Sequence, residues 1–142
     1  MKKAIFIVAL CLGTLASAQQ LSKEMTIALK NDNANALSQL ITDSNKDACL
    51  QVGRTESSIT ALAVNAQSAD VLQMLITKGV DLNNTCGGAT PLMRAAQSGQ
   101  THLVTMLLDA GADKNVSIDG KKAVDFLIGG KFDSEIKELL SK

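Results

Sequence analysis

The sequence predicts an all-α protein, a solenoid of about four stacked helix-turn-helix units. Three observations lead there. Apolar residues recur in one frame at intervals of 32 to 35 residues: Ala28, Leu37, Leu40 and Ile41; then Ala63, Leu72, Leu75 and Ile76; then Ala95, Val104, Leu107 and Leu108; then Leu127, Ile136, Leu139 and Leu140. Within each unit these residues fall at spacings of three and four, the signature of a helix with one buried face. One Pro and ten Gly in 142 residues, 46% of them hydrophobic, suit a helical globular chain better than a turn-rich β-sandwich.

The same composition excludes several classes of function. Fourteen Lys and Arg balance fourteen Asp and Glu, so no bulk charge draws the chain to nucleic acid or a membrane surface. With no Trp, no Tyr and three Phe, it has little to build base-stacking platforms or sugar-binding shelves.

Residues 1–18 read as a cleaved leader rather than as part of the fold. Lys2 and Lys3 precede an apolar run from Ala4 to Leu12, Gly13 breaks it, and Ala16-Ser17-Ala18 supplies the small-x-small pattern of a signal peptidase site. A membrane anchor would need roughly 20 apolar residues. A lipoprotein would need a small residue before Cys11, where Leu10 stands. Export to a bacterial periplasm with cleavage after Ala18 is expected. Cleavage leaves 124 of the 142 residues and a formal charge of −2, and it removes Cys11. Cys49 and Cys86 remain, and an oxidising compartment favours a disulfide between them over two free thiols.

The mature chain, 19–142, divides into units near 21–52, 53–84, 85–116 and 117–142. In the first, Lys30, Asn31, Asp32, Asn33 and Asn35 make a polar end cap, and Ser44-Asn45-Lys46-Asp47 closes the unit. In the second, Ser58-Ile59-Thr60 opens a helix with Ile59, Leu62, Ala63 and Ala66 on its predicted apolar face, and Gly79-Val80-Asp81-Leu82-Asn83 follows. The third is the clearest. Thr90-Pro91 starts a helix, with Pro where its missing N–H is harmless; Leu92, Ala95 and Ala96 form its face; and Gly99 permits a tight turn. Leu103, Val104, Leu107 and Leu108 form the second stripe, which Gly111 ends. The fourth follows Asp119-Gly120 and is polar again through Lys131, Asp133, Glu135, Lys137, Glu138 and Lys142.

Thr90-Pro91-Leu92-x-x-Ala95-Ala96, Gly99, Leu107-Leu108 and Gly111-Ala112-Asp113-x-Asn115, at a period near 33, closely resemble the ankyrin repeat. The resemblance covers nearly all of residues 21–142. Met93 stands where the family usually has His, which removes a Thr–His hydrogen bond. Unit two lacks Thr-Pro-Leu, and unit one lacks the Gly-Ala-Asp ending.

The resemblance implies that the loops between units project as neighbouring fingers. Cys49 falls in the first finger and Cys86 in the next, so a disulfide there is expected to be a staple rather than a redox centre. The family generally binds other proteins through its finger tips and the concave face of its first helices. On matching positions that surface comprises Arg54, Thr55 and Ser57; Gly87 and Ala89; Ile118, Asp119 and Lys121; and, on the helices, Asn65, Arg94, Gln97 and Ser98. Arg54 and Arg94 are the residue type favoured at binding hot spots.

No catalytic pattern competes with this reading. His102 is the lone histidine and is expected to face solvent, with no second His or free Cys beside it for a metal. Asp109 does not complete a triad with it. Gly87-Gly88 and Gly129-Gly130 lack the flanking signature of a phosphate loop, Lys121-Lys122 reads as a solvated pair, and the acidic residues lack EF-hand spacing. The expectation is a cofactor-free, non-enzymatic, monomeric periplasmic module that binds another exported protein and neither nucleic acid nor membrane. Two narrower roles are an immunity protein against a toxin delivered to the periplasm and a protective accessory to a stress enzyme such as catalase. A neighbouring toxin gene would favour the first, and a neighbouring catalase gene the second.

Overall fold

A computed structural model describes residues 19–142; the leader, its cleavage site and Cys11 lie outside the described residues. Three helical hairpins follow one another: α1 (Lys23–Lys30) with α2 (Ala34–Leu40), α3 (Ile59–Asn65) with α4 (Ala69–Thr77), and α5 (Pro91–Gln97) with α6 (Thr101–Asp109). The fourth unit pairs a 3₁₀ turn, Ala123–Phe126, with α7 (Asp133–Ser141). No helix among the described residues is long and apolar enough to cross a membrane.

Short hydroxyl and proline signals start the first helices. Ser22, Ser58 and Thr90 are N-caps whose side chains accept from the backbone N–H of Met25, Ala61 and Met93. Met93 also supplies part of what the missing His would have given: its sulfur accepts from the Thr90 N–H at 3.5 Å, closing a reciprocal cap inside the core.

The hairpin turns share one backbone solution. Asn33, Ser68 and Gln100 donate to the carbonyls of Ala28, Ala63 and Ala95, while Asp32, Gln67 and Gly99 donate to Leu29, Val64 and Ala96. This is the paired bonding of a Schellman ending, which needs a left-handed residue. Gly99 takes that role at φ 65°, as its sequence position predicts, but Asp32 and Gln67 take it too, at 47° and 57°.

The recurring apolar frame is the stacking interface. Leu37, Leu72, Val104 and Ile136, one from each unit, are all fully buried. Of the residues three further on, Leu75 and Leu107 are buried in the inner units, while Leu40 and Leu139 in the end units are half-buried. The end units instead bury the next residue, Ile41 or Leu140. End units have one neighbour, so their second helices need cover only one side. The helix α3 departs from its predicted face. Ile59 and Ala63 are buried with Thr60 and Val64, whereas Leu62 is half-buried and Ala66 exposed.

Two corrections concern class and ends. The chain is mostly helical rather than all-α, because the first finger is a β-hairpin, β2 (Cys49–Val52) and β3 (Thr55–Ser58), and β1 (Gln19–Gln20) adds to it in parallel, in the order β1-β2-β3. The hairpin turns over Gly53 and Arg54, with Gly53 at φ 63° in the first central position, where a type II′ turn requires glycine. In the fourth unit, the expected first helix is only the 3₁₀ turn. Leu127 already has extended backbone (φ −66°, ψ 128°) and is half-buried rather than stacked like Ala63 and Ala95. Gly129 and Gly130 follow within three residues, leaving too short a run to propagate an α-helix.

Candidate docking surface

Inter-repeat hydrogen bonds hold the fingers in a row. In unit two, Asp81 Oδ1 accepts from its own Asn83 N–H, and in unit three Asp113 Oδ1 accepts from Asn115 N–H. The Asn then reaches the next unit: Asn83 Oδ1 accepts from Asp113 N–H at 2.8 Å. Unit one lacks the family ending, yet Asp47 does the same job, accepting from Asp81 N–H at 2.6 Å, and its carbonyl accepts from Asn84 Nδ2. Lys122 Nζ continues the row on Asn115 Oδ1 at 3.4 Å.

The first two fingers are also joined covalently. Cys49 and Cys86 form a disulfide across a sequence separation of 37, with their Cα atoms 5.5 Å apart. Beside it Gly87 lies so close to the first finger that a Cβ would collide with the Glu56 carbonyl oxygen. Glu56, Asp81, Asn83, Asn84 and Thr85 line a shallow polar hollow of about 510 Å³ around the disulfide.

The residues expected to bind a partner divide into three groups. Arg54 and Thr55 are exposed on the first finger, Gly87 on the second, and Asp119 and Lys121 on the third, where Ile118 is half-buried. The third tip is a two-residue turn, Asp119-Gly120, both at positive φ, closed by mutual backbone bonds between Ile118 and Lys121 at 3.0 Å. On the helices Asn65, Gln97 and Ser98 are exposed. Arg94 is half-buried and spends Nη2 on the Gly87 carbonyl at 3.1 Å, so it ties its helix to the second finger.

Ser57 and Ala89 must be removed from the surface. Ser57 is 6% exposed, because the alternation of β3 puts it on the same side as buried Leu50, its cross-strand partner. Ala89 is 9% exposed, packed in the core immediately before the Thr90 cap.

A second concavity lies at the opposite rim, where the hairpin turns line up. Gln67, Gln97, Ser98, Gln100, Ile128 and Phe132 are among the residues lining a groove of about 420 Å³. Ile128 and Phe132 are 75% and 47% exposed, and Lys131 Nζ sits 5.5 Å from the Phe132 ring centroid. Sequence reasoning missed this patch. The available signal was an isoleucine and an aromatic, Ile128 and Phe132, standing outside the recurring apolar frame of the final unit. His102 is exposed, and among the described residues no group of three or more His, Cys, Asp or Glu is placed to hold a metal ion.

Stacked hairpins with a row of hydrogen-bonded fingers define a repeat protein built to present surface. The family model for ankyrin repeats, in three copies, matches residues 25–118, and the chain belongs to that family. Ankyrin repeats are generally protein–protein interaction modules. An ankyrin repeat protein of fowlpox virus (strain NVSL) is 32% identical over 72 residues, which cover 49% of this chain and 11% of the viral protein. The chain therefore spans about a tenth of the length of that curated relative.

Proposed function

We propose that the chain is a non-enzymatic binding module, exported to the periplasm and cleaved after Ala18, that holds another exported protein against its finger tips and the concave face beside them. The observation that carries this reading is the covalent join between the first two fingers. The disulfide and the Arg94–Gly87 bond fix Arg54, Thr55 and Gly87 relative to one another before any partner arrives. A surface ordered in advance loses less conformational entropy on association. The exported protein acts as a monomer and without a cofactor in this reading, and its leader is consistent with an oxidising compartment that forms the disulfide.

The test is affinity capture from periplasmic extract with the full exported protein as bait, followed by mass spectrometry. A partner retained by the wild type should be lost with Arg54→Glu combined with Lys121→Glu, and kept with Gln73→Glu, an exposed change on α4 away from the fingers. Equal retention by all three proteins would move the binding surface off the fingers and contradict the proposal.

A further inference from the structure

The first strand of the fold carries a chemical consequence of export. Gln19 and Gln20 form β1 against the first finger, with Gln19 opposite Leu50 and Gln20 opposite Gln51. Leu21 N–H continues the ladder onto the Gln51 carbonyl at 3.3 Å. Both glutamine residues are exposed, while Leu50 is buried. Cleavage after Ala18, on which this inference rests, makes Gln19 the first residue and gives its nitrogen a free amine. That amine then sits at an exposed sheet edge, open to solvent and within reach of its own side-chain amide. An α-amine has a pKa of about 7.7–8.0, so at pH 7 a minor fraction, roughly a tenth, is uncharged and nucleophilic, enough for a slow intramolecular attack.

We propose that Gln19 is a modification site, converted in the mature protein to pyroglutamate. The α-amine nitrogen forms a bond to the side-chain amide carbon Cδ, the Cδ–Nε2 bond breaks, and Nε2 leaves as ammonia carrying the proton that the amine gives up. No oxidant, reductant or other co-reactant is consumed. The exposed side chain has room to fold back on its own amine. The lactam nitrogen keeps one N–H, so a strand that pairs through its backbone retains that donor while losing the charge. The finished terminus is neutral, closed to aminopeptidases, and compatible with the sheet it belongs to.

Intact mass, N-terminal sequencing and isoelectric focusing of the exported protein, reduced to remove the disulfide, test this beside a Gln19→Ala variant. The expected wild-type mass is one ammonia below that of the chain 19–142, its terminus blocks sequencing, and it focuses at a more acidic pH than Gln19→Ala by the loss of one positive charge. The full mass of 19–142 with a readable Gln-Gln-Leu-Ser terminus would overturn the cyclisation and leave the cleavage standing. A mass for a chain starting at any other residue would overturn the cleavage and the modification together.

Discussion

Asp32 in the first hairpin turn caps a helix of the next unit: its Oδ1 accepts from the Val71 N–H at 2.9 Å, and its Oδ2 from the Asp70 N–H at 3.2 Å. The helix α4 needs this because its own N-cap, Ser68, makes no side-chain cap bond. The Ser68 hydroxyl donates back to the Leu29 carbonyl in unit one. Each unit thus completes the other's helix ends, and stacking is written into polar groups as well as into the apolar stripe.

Asp32→Ala should therefore lower stability by about 0.5–2 kcal/mol through the lost cap, with an added cost for alanine at positive φ. Asp32→Asn, which keeps an acceptor oxygen and tolerates that backbone, should lose less. Urea unfolding followed by circular dichroism distinguishes them; equal stabilities for the wild type and Asp32→Ala would show that the cap contributes nothing.

Replacing both Cys49 and Cys86 by Ser, or reducing the disulfide, should cost about 2–4 kcal/mol for a closed loop of this length. Thiol titration of the exported protein under denaturing, non-reducing conditions should find no free thiol. A titre of two would contradict the staple.

Gly87 and Gly88 make a matched pair. Both have positive φ, 76° and 74°, yet a Cβ at Gly88 meets nothing within 4 Å, whereas one at Gly87 strikes the Glu56 carbonyl. Gly88→Ala should cost about 1–2 kcal/mol, the left-handed penalty alone. Gly87→Ala should cost about 1–3 kcal/mol more as the two fingers are pushed apart. Thermal melts of the two variants make the comparison, and equal losses would place the fingers further apart than described.

Glu24 gives a pH dependence. The backbone N–H at the start of α1, and then the Ser22 hydroxyl, hold its exposed carboxyl below the ordinary carboxylate range. Its ionised form is thus favoured by folding, so its contribution is present above the unfolded pKa and is lost as pH falls through the lowered folded value. A carboxyl NMR titration should place Glu24 below a peptide glutamate, and Glu24→Gln should remove this part of the acid sensitivity. A normal midpoint for Glu24 would contradict the cap geometry.

The apolar frame is readable because stacking repeats it: Leu72 and Val104 do the same job 32 residues apart, and both are fully buried. The strands were not read, although Gly53-Arg54 sits between two short segments that pair residue for residue. The tetrapeptide Thr-Glu-Ser-Ser carries almost no apolar alternation, and tertiary pairing with Cys49–Val52 decides its conformation. Ser57 and Ala89 were misplaced for a related reason. A family position marks a loop as outward-facing, but which way one side chain points depends on strand alternation and on the bulk beneath it. Arg94 is expected on the binding surface from its family position, and the structure places it half-buried beneath the second finger. Its bond to Gly87 could not be read, because it depends on where the second finger folds back.

The central claim is that four units share one register, with Leu37, Leu72 and Ile136 in equivalent closed sites. Its most direct test is equilibrium urea unfolding of single alanine variants at those positions beside Leu40→Ala and Leu139→Ala. The three fully buried sites should each lose about 2–5 kcal/mol, and the two half-buried residues of the end units clearly less. Losses at Leu40 and Leu139 that match or exceed those at Leu37, Leu72 and Ile136 would contradict the register, and with it the alignment of the fingers.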